Sequence, residues 1–160
     1  MKNAKAHSLR TQQAIALFGK AARHPLCLAA LDLWRMETEL SKWSQAVVLS
    51  EQAVNRAKQR RRKVLALIEQ FRDEQKEKEV KKACALFREI DKHLLEAQNY
   101  YQAAVKLRPI FQELHGMAVT QFNREHDAAI HRGGRKALLA LQRTRRRWNN
   151  KRQFLGDSDR

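Results

Sequence analysis

LCLAALDLWRMETELSKWSQAVVLSEQAVNRAKQRRRKVLALIEQF, residues Leu26–Phe71, and VKKACALFREIDKHLLEAQNYYQAAVKLRPIFQELHGMAVTQF, residues Val80–Phe122, decide the fold. In the first, one row recurs at spacings of three and four: Leu26, Ala29, Leu33, Met36, Leu40, Trp43, Val47, Ser50, Val54, Ala57, Arg61, Val64, Ile68, Phe71. The second repeats it through Val80, Ala83, Phe87, Ile90, Leu94, Ala97, Tyr101, Ala104, Arg108 and Phe111. This heptad spacing belongs to a helix that buries one seam against a partner. Before Gly116 the only Gly or Pro in either stretch is Pro109.

Folding the chain between the two stretches lays one seam antiparallel on the other. One register sets Phe71 by Val80, Ile68 by Ala83, Val64 by Phe87, Ala57 by Leu94, Val47 by Ala104 and Leu40 by Phe111. Large meets small at most layers, which is what filling a fixed gap at crystal-like density requires. Three polar residues fall on the seam. Ser50 is expected to face Tyr101, Arg108 to face Trp43 in a cation–π contact, and Arg61 to lie by Ile90 and reach out to solvent. A well-buried large apolar side chain contributes about 1.5–3 kcal/mol, so a dozen layers stabilise two helices that would be marginal alone. The first arm would be about 70 Å long at the α-helical rise. A compact four-helix bundle made by breaking both helices would show the same seam. The fold class taken forward is all-α: a long antiparallel coiled-coil helical hairpin with short flanking N- and C-terminal helices.

The joint is RDEQKEKE, Arg72–Glu79, wholly polar and lacking Gly or Pro. Read through as continuous helix, it would give one rod obliged to dimerise; the intramolecular match of the seams argues for a turn. Pro109 removes one helical hydrogen bond and is expected to kink or break the second arm. Leu107, Ile110, Leu114 and Met117 form a second apolar row around it. Upstream, residues 4–23 read as a helix ended by His24-Pro25, with Pro25 opening the next one. Leu26–Met36 is apolar nearly all round, so a third helix from one of the terminal segments should cover it. Gly133-Gly134 ends the hairpin or makes a hinge, and a last helix runs about Arg135–Phe154, with Leu138, Leu141, Trp148 and Leu155 on one face. The expected organisation is a basic N-terminal helix over 1–24, the hairpin over 25–131, and a basic C-terminal helix and tail over 132–160.

Charge narrows the function. The 160 residues carry 33 Lys and Arg against 17 Asp and Glu, a formal net charge of +16. That excess points to nucleic acid, an acidic protein surface or anionic lipid. It is uneven. Residues 1–25 hold five basic and no acidic groups, residues 128–160 ten against two, and residues 71–127 ten of each. In a hairpin the basic ends meet at one pole.

No catalytic constellation is legible. There is no glycine-rich phosphate loop, nucleophile elbow or zincin motif, and no Glu precedes a His by three places as a di-iron bundle needs. Six scattered histidines and two cysteines, Cys27 and Cys84, make no metal site. The expectation is therefore a non-enzyme with no cofactor and no metal. The cysteines would stand too far apart to bridge, and two free thiols suit a reducing compartment, so the chain is expected to be cytoplasmic. No apolar run approaches a membrane span, and no secretory leader is visible. The basic, acid-free N-terminus also fits an organelle transit peptide.

The candidate binding residues are basic. Arg132, Arg135, Lys136, Arg143, Arg145, Arg146, Arg147, Lys151 and Arg152 are uninterrupted by any acid, and Trp148 and Phe154 stand among them. Such a helix could follow phosphates with its aromatics stacked on bases, or dock into an acidic protein groove or onto anionic lipid. A secondary ridge is Arg56, Lys58, Arg60, Arg62 and Lys63, which also reads as a solvated outer face.

The paired seams, the mid-chain turn at Arg72–Glu79 and the basic ends resemble the central stalk proteins of bacterial type III secretion and flagellar export ATPases. The resemblance covers most of the chain and is one of layout, with no sequence motif. It implies a coiled-coil adaptor whose basic pole inserts in a hexameric secretion ATPase ring while the hairpin tip meets the export gate. Pro25, Pro109 and Gly133-Gly134 depart from the uninterrupted helices of that family. The alternative is a nucleic-acid-binding helical protein using the basic C-terminal helix. A third reading is a scaffold that binds another helix at Leu26–Met36.

Overall fold

A computed structural model describes residues 11–158, with side chains to Lys151. Three long helices make up most of it: α1 (Pro25–Asp73), α2 (Glu77–His131) and α3 (Arg135–Ser158). Residues 11–18 are helical and Lys20–Arg23 form a 3-10 turn. The two long helices pack against each other as an antiparallel hairpin, and the described residues contain no strand. Each long helix is continuous over its range, whereas the alternative of a bundle of shorter helices needed both to break.

The start of α1 follows from His24-Pro25. His24 is extended, and its Nδ1 accepts the Leu26 N–H at 3.2 Å, while Pro25 occupies the first turn, where its missing N–H costs nothing. The helix expected over residues 4–23 is interrupted at Gly19, whose φ of 86° and ψ of 175° no L side chain adopts comfortably. The part of that expectation covering residues 4–10 lies outside the described residues.

The turn between α1 and α2 is tighter than its polar stretch. Lys76 N–H donates to Phe71 O at 2.9 Å and Gln75 N–H to Arg72 O at 3.0 Å, the bond pair of a Schellman motif. Gln75 fills its left-handed position at φ 58°, a place usually given to glycine. Glu74 accepts from Gln70 at 2.9 Å and pairs with Lys76, whose ammonium holds the Glu74 carboxyl below the usual range. The end of α2 repeats the motif with Gly133 at φ 78°. There Gly134 has no room for a Cβ, which would stand 2.6 Å from the Ala129 carbonyl oxygen.

The chain divides into two compact units, Glu39–Phe111 and the remainder. Within Glu39–Phe111 every expected seam position is buried or half-buried except Arg61 and Arg108. Val64, Ile68, Ala83 and Ile90 form a core with Phe71, Cys84 and Phe87 packed around it, and Ala104 is fully buried. Arg61 reaches outward as expected. Its Nε donates to Asp91 at 2.6 Å and its guanidinium covers the Phe87 ring at 4.9 Å.

Three local expectations are corrected here. Ser50 does not turn to Tyr101; it donates to the Ala46 carbonyl of its own helix at 2.5 Å, the usual resort of a buried serine in a helix. Arg108 is exposed, and the cation over the Trp43 ring is Lys42 and not Arg108. Trp43 instead stacks on Phe111 (6.2 Å, 11°), with Lys42 5.7 Å from its ring centroid. Pro109 does not break α2. It stands exposed on the side away from the seam, where one lost bond is offset by continuous packing of Ala104 and Phe111 on either side.

In the other unit, the all-round apolar segment Leu26–Met36 is covered from two directions. Ala14, Phe18 and Ala22 reach it from the N-terminal side, and Leu141 and Trp148 from α3. Leu26 is fully buried in a second cluster with Ala129 and Ala137. Among the described residues no helix is long and apolar enough to cross a membrane.

Candidate partner-binding face

Helix α3 has an inner and an outer side. Ala137, Leu141, Thr144 and Trp148 recur at the spacing of one helical face and are buried or half-buried. Thr144 donates to the Ala140 carbonyl at 2.9 Å, so its hydroxyl is satisfied where no water reaches. The Trp148 ring lies 5.8 Å from Phe18 and 6.0 Å from Trp34 by ring centroids. This aromatic group fixes the rotation of α3 about its own axis.

Three of the nine basic residues work for that packing. Arg145 covers the Trp34 ring at 4.5 Å, and Lys151 stands 5.2 Å from the Phe18 ring. Arg147 donates from Nη1 to the Phe18 carbonyl at 2.7 Å. The guanidinium fills the space where a Cβ at Gly19 would be, so a side chain there would have to displace Arg147 as well as adopt an unfavourable φ.

The remaining cations point away. Arg132, Arg135, Lys136, Arg143 and Arg146 are exposed and have no ion-pair partner among the described residues. Beside them Ile130, Leu138 and Leu139 stay exposed and line a shallow groove with Arg135 and Gln142. A strip of free guanidinium and ammonium groups beside uncovered leucines can pair with carboxylates while burying apolar anchors.

Two expectations about this helix therefore change. Trp148 is half-buried, with its ring packed against Phe18 and Trp34, so much of the aromatic surface expected to face a partner is in internal contact. Leu138 does not share the buried face; it is exposed, at the edge of the face that Leu141 and Trp148 set less than a quarter of a turn away. Arg152, Phe154 and Leu155 lie outside the residues whose side chains are described. Composition could not separate Arg145 and Arg147 from Arg143 and Arg146. The helical positions of Leu141 and Trp148 could have done so, since they mark the inner side. The pairing of Gly19 with Arg147 has no sequence signal beyond a glycine inside a helical pattern.

The ridge residues Arg56, Lys58, Arg60, Arg62 and Lys63 are all exposed, in the other compact unit. Arg56 and Arg60 flank a shallow groove floored by Ala53, Ala57 and Ala97, with His93 on its far wall. Both cysteines are free thiols, and burial pushes the Cys27 thiol up, opposed in part by its hydrogen bond with Thr144. No group of three His, Cys, Asp or Glu side chains converges among the described residues. No protein family, curated protein or solved structure matches the chain.

Proposed function

We propose that the protein is a non-enzymatic helical-hairpin adaptor that docks an acidic protein partner on the outer side of α3. The division of that helix carries the reading: Arg135, Lys136, Arg143 and Arg146, with Arg132 just before it, make no ion pair among the described residues, and Arg135 lines a groove with the exposed Ile130, Leu138 and Leu139. A partner segment with carboxylates beside apolar anchors matches this surface. The uncovered leucines and the packing of the half-buried Trp148 ring on Phe18 and Trp34 favour protein over nucleic acid, since a nucleic-acid surface of this kind would offer the aromatic to bases. The likeness in layout to export-ATPase stalks supplies a candidate partner, the ring of a hexameric secretion ATPase.

The experiment is a titration of the full chain against such an ATPase, beside the double variant Arg143→Glu/Arg146→Glu. The expected result is salt-dependent binding weakened at least about tenfold by the variant. Binding indifferent to the two reversals, or no binding at all, overturns the reading. Tight binding to an arbitrary single-stranded DNA, falling steeply between about 50 and 200 mM salt, would instead support a nucleic-acid partner.

A further inference from the structure

Within Glu39–Phe111 the two sides of the hairpin differ. By helical spacing, Leu49 (59% exposed), Leu67 (42%), Leu86 (49%) and Tyr100 (52%) fall on the same side as the groove lined by Ala53, Ala57 and Ala97. The small side chains there, Ala53, Ala57 and Ala97, leave room for another helix to approach closely, as small residues do at tight helix contacts. The rims of this side are charged in opposite senses. Arg56 and Lys63 stand on the α1 rim, two helical turns apart, and Glu89 and Glu96 on the α2 rim at the same spacing. All four are exposed, and none has an ion-pair partner among the described residues.

The register decides which residues stand at one height. Arg61 pairs with Asp91 across the hairpin at 2.6 Å. Counting outward from that pair, Arg56 is level with Glu96, and Lys63 with Glu89. Within one chain the two rims lie on different helices, with the groove between them. A second copy, related by a two-fold axis parallel to the hairpin, lays its α2 rim on the first copy's α1 rim. Arg56 then meets Glu96 of the second copy and Lys63 meets Glu89, twice over by symmetry. Leu49 comes level with Ala103, and Leu67, Leu86 and Tyr100 enter the centre. Arg60 and His93 form one polar layer there, within reach of the same glutamates. Such a polar layer sets register in helical assemblies.

The opposite side of the hairpin fails the same test. It also bears exposed apolar residues, among them Val48, Leu65 and Leu95. At its rim, however, Arg62 and Arg88 stand within two residues of one height, about 3 Å, so two copies would bring like charges close together. We infer that the Arg56/Glu96 side of Glu39–Phe111 is a two-fold interface between two copies of this chain, closing a parallel-axis four-helix bundle. An isologous contact of this kind requires a self-complementary patch, and unpaired rim charges of opposite sign at matching heights provide one.

The test is sedimentation equilibrium of the full chain, with charge variants at exposed sites that leave the seam untouched. The wild type is expected to be dimeric at about 100 μM. Arg56→Glu/Lys63→Glu and Glu89→Lys/Glu96→Lys should each raise the dissociation constant at least about tenfold, with helicity unchanged. The fourfold variant combining both pairs should regain the wild-type constant, because each opposed pair is restored with its signs exchanged. A monomer at about 100 μM, a stoichiometry other than two, or a dimer unmoved by the reversals overturns the inference. So does failure of the fourfold variant to recover while its circular dichroism remains that of the wild type.

Discussion

At the residue scale, a few residues hold positions where a substitution has a definite cost. Gly19 combines a left-handed φ with an arginine where its Cβ would be. Gly19→Ala is expected to destabilise the chain by about 1–3 kcal/mol, read as a lower urea midpoint. Ile68 is buried in the seam, and Ile68→Ala should cost about 2–5 kcal/mol; a loss below about 1 kcal/mol would mean that the seam is not packed. Cys27 gives a pH prediction. Burial raises its thiol pKa in the folded chain above the unfolded value, so the folded state favours the protonated form. Its contribution is fully present below the unfolded thiol pKa, about 8.5, and is lost as pH rises toward the folded value. The urea midpoint should fall above that pH, and Cys27→Ala should flatten the fall. Under native conditions Cys84, which is half-buried, should react with a thiol reagent well before Cys27.

At the element scale, the two long helices were legible because one period runs through both of them. Val54, Val64, Ile68, Ala83, Ile90 and Ala104 fall on the expected rows and are buried. The turn was legible as a place and not as a conformation. Nothing in RDEQKEKE marks Gln75 as left-handed, since local carbonyls and the antiparallel seam impose that φ on a residue with no preference for it. Gln75→Gly should therefore stabilise the chain by about 1 kcal/mol, read as a higher melting temperature. Pro109 shows the converse. Proline chemistry pointed to a break, yet tertiary packing carries α2 through it. Pro109→Ala restores a backbone donor in a helix interior, and a gain of up to about 3 kcal/mol is expected from the difference in helix propensity. The polar seam residues were misjudged for a related reason. Ser50 is satisfied by its own helix, an option that cross-seam counting does not consider.

At the scale of the whole molecule, a net charge of +16 means that the chain holds far more cations than its own carboxylates can pair. It could not show which cations. On α3 the answer depends on the rotation of one helix, set by Trp148 against Phe18 and Trp34, and therefore on contacts between segments far apart in sequence. Those contacts engage Arg145, Arg147 and Lys151 in packing and leave Arg143 and Arg146 exposed, without an ion pair among the described residues. The most direct measurement of this division is urea unfolding of two double variants side by side. Arg145→Ala/Arg147→Ala should lose about 1–3 kcal/mol, from one cation–π contact and one charged hydrogen bond. Arg143→Ala/Arg146→Ala should stay within about 0.5 kcal/mol of the wild type, as exposed unpaired residues do. Equal losses in the two variants, or a larger loss in the second, would contradict the division.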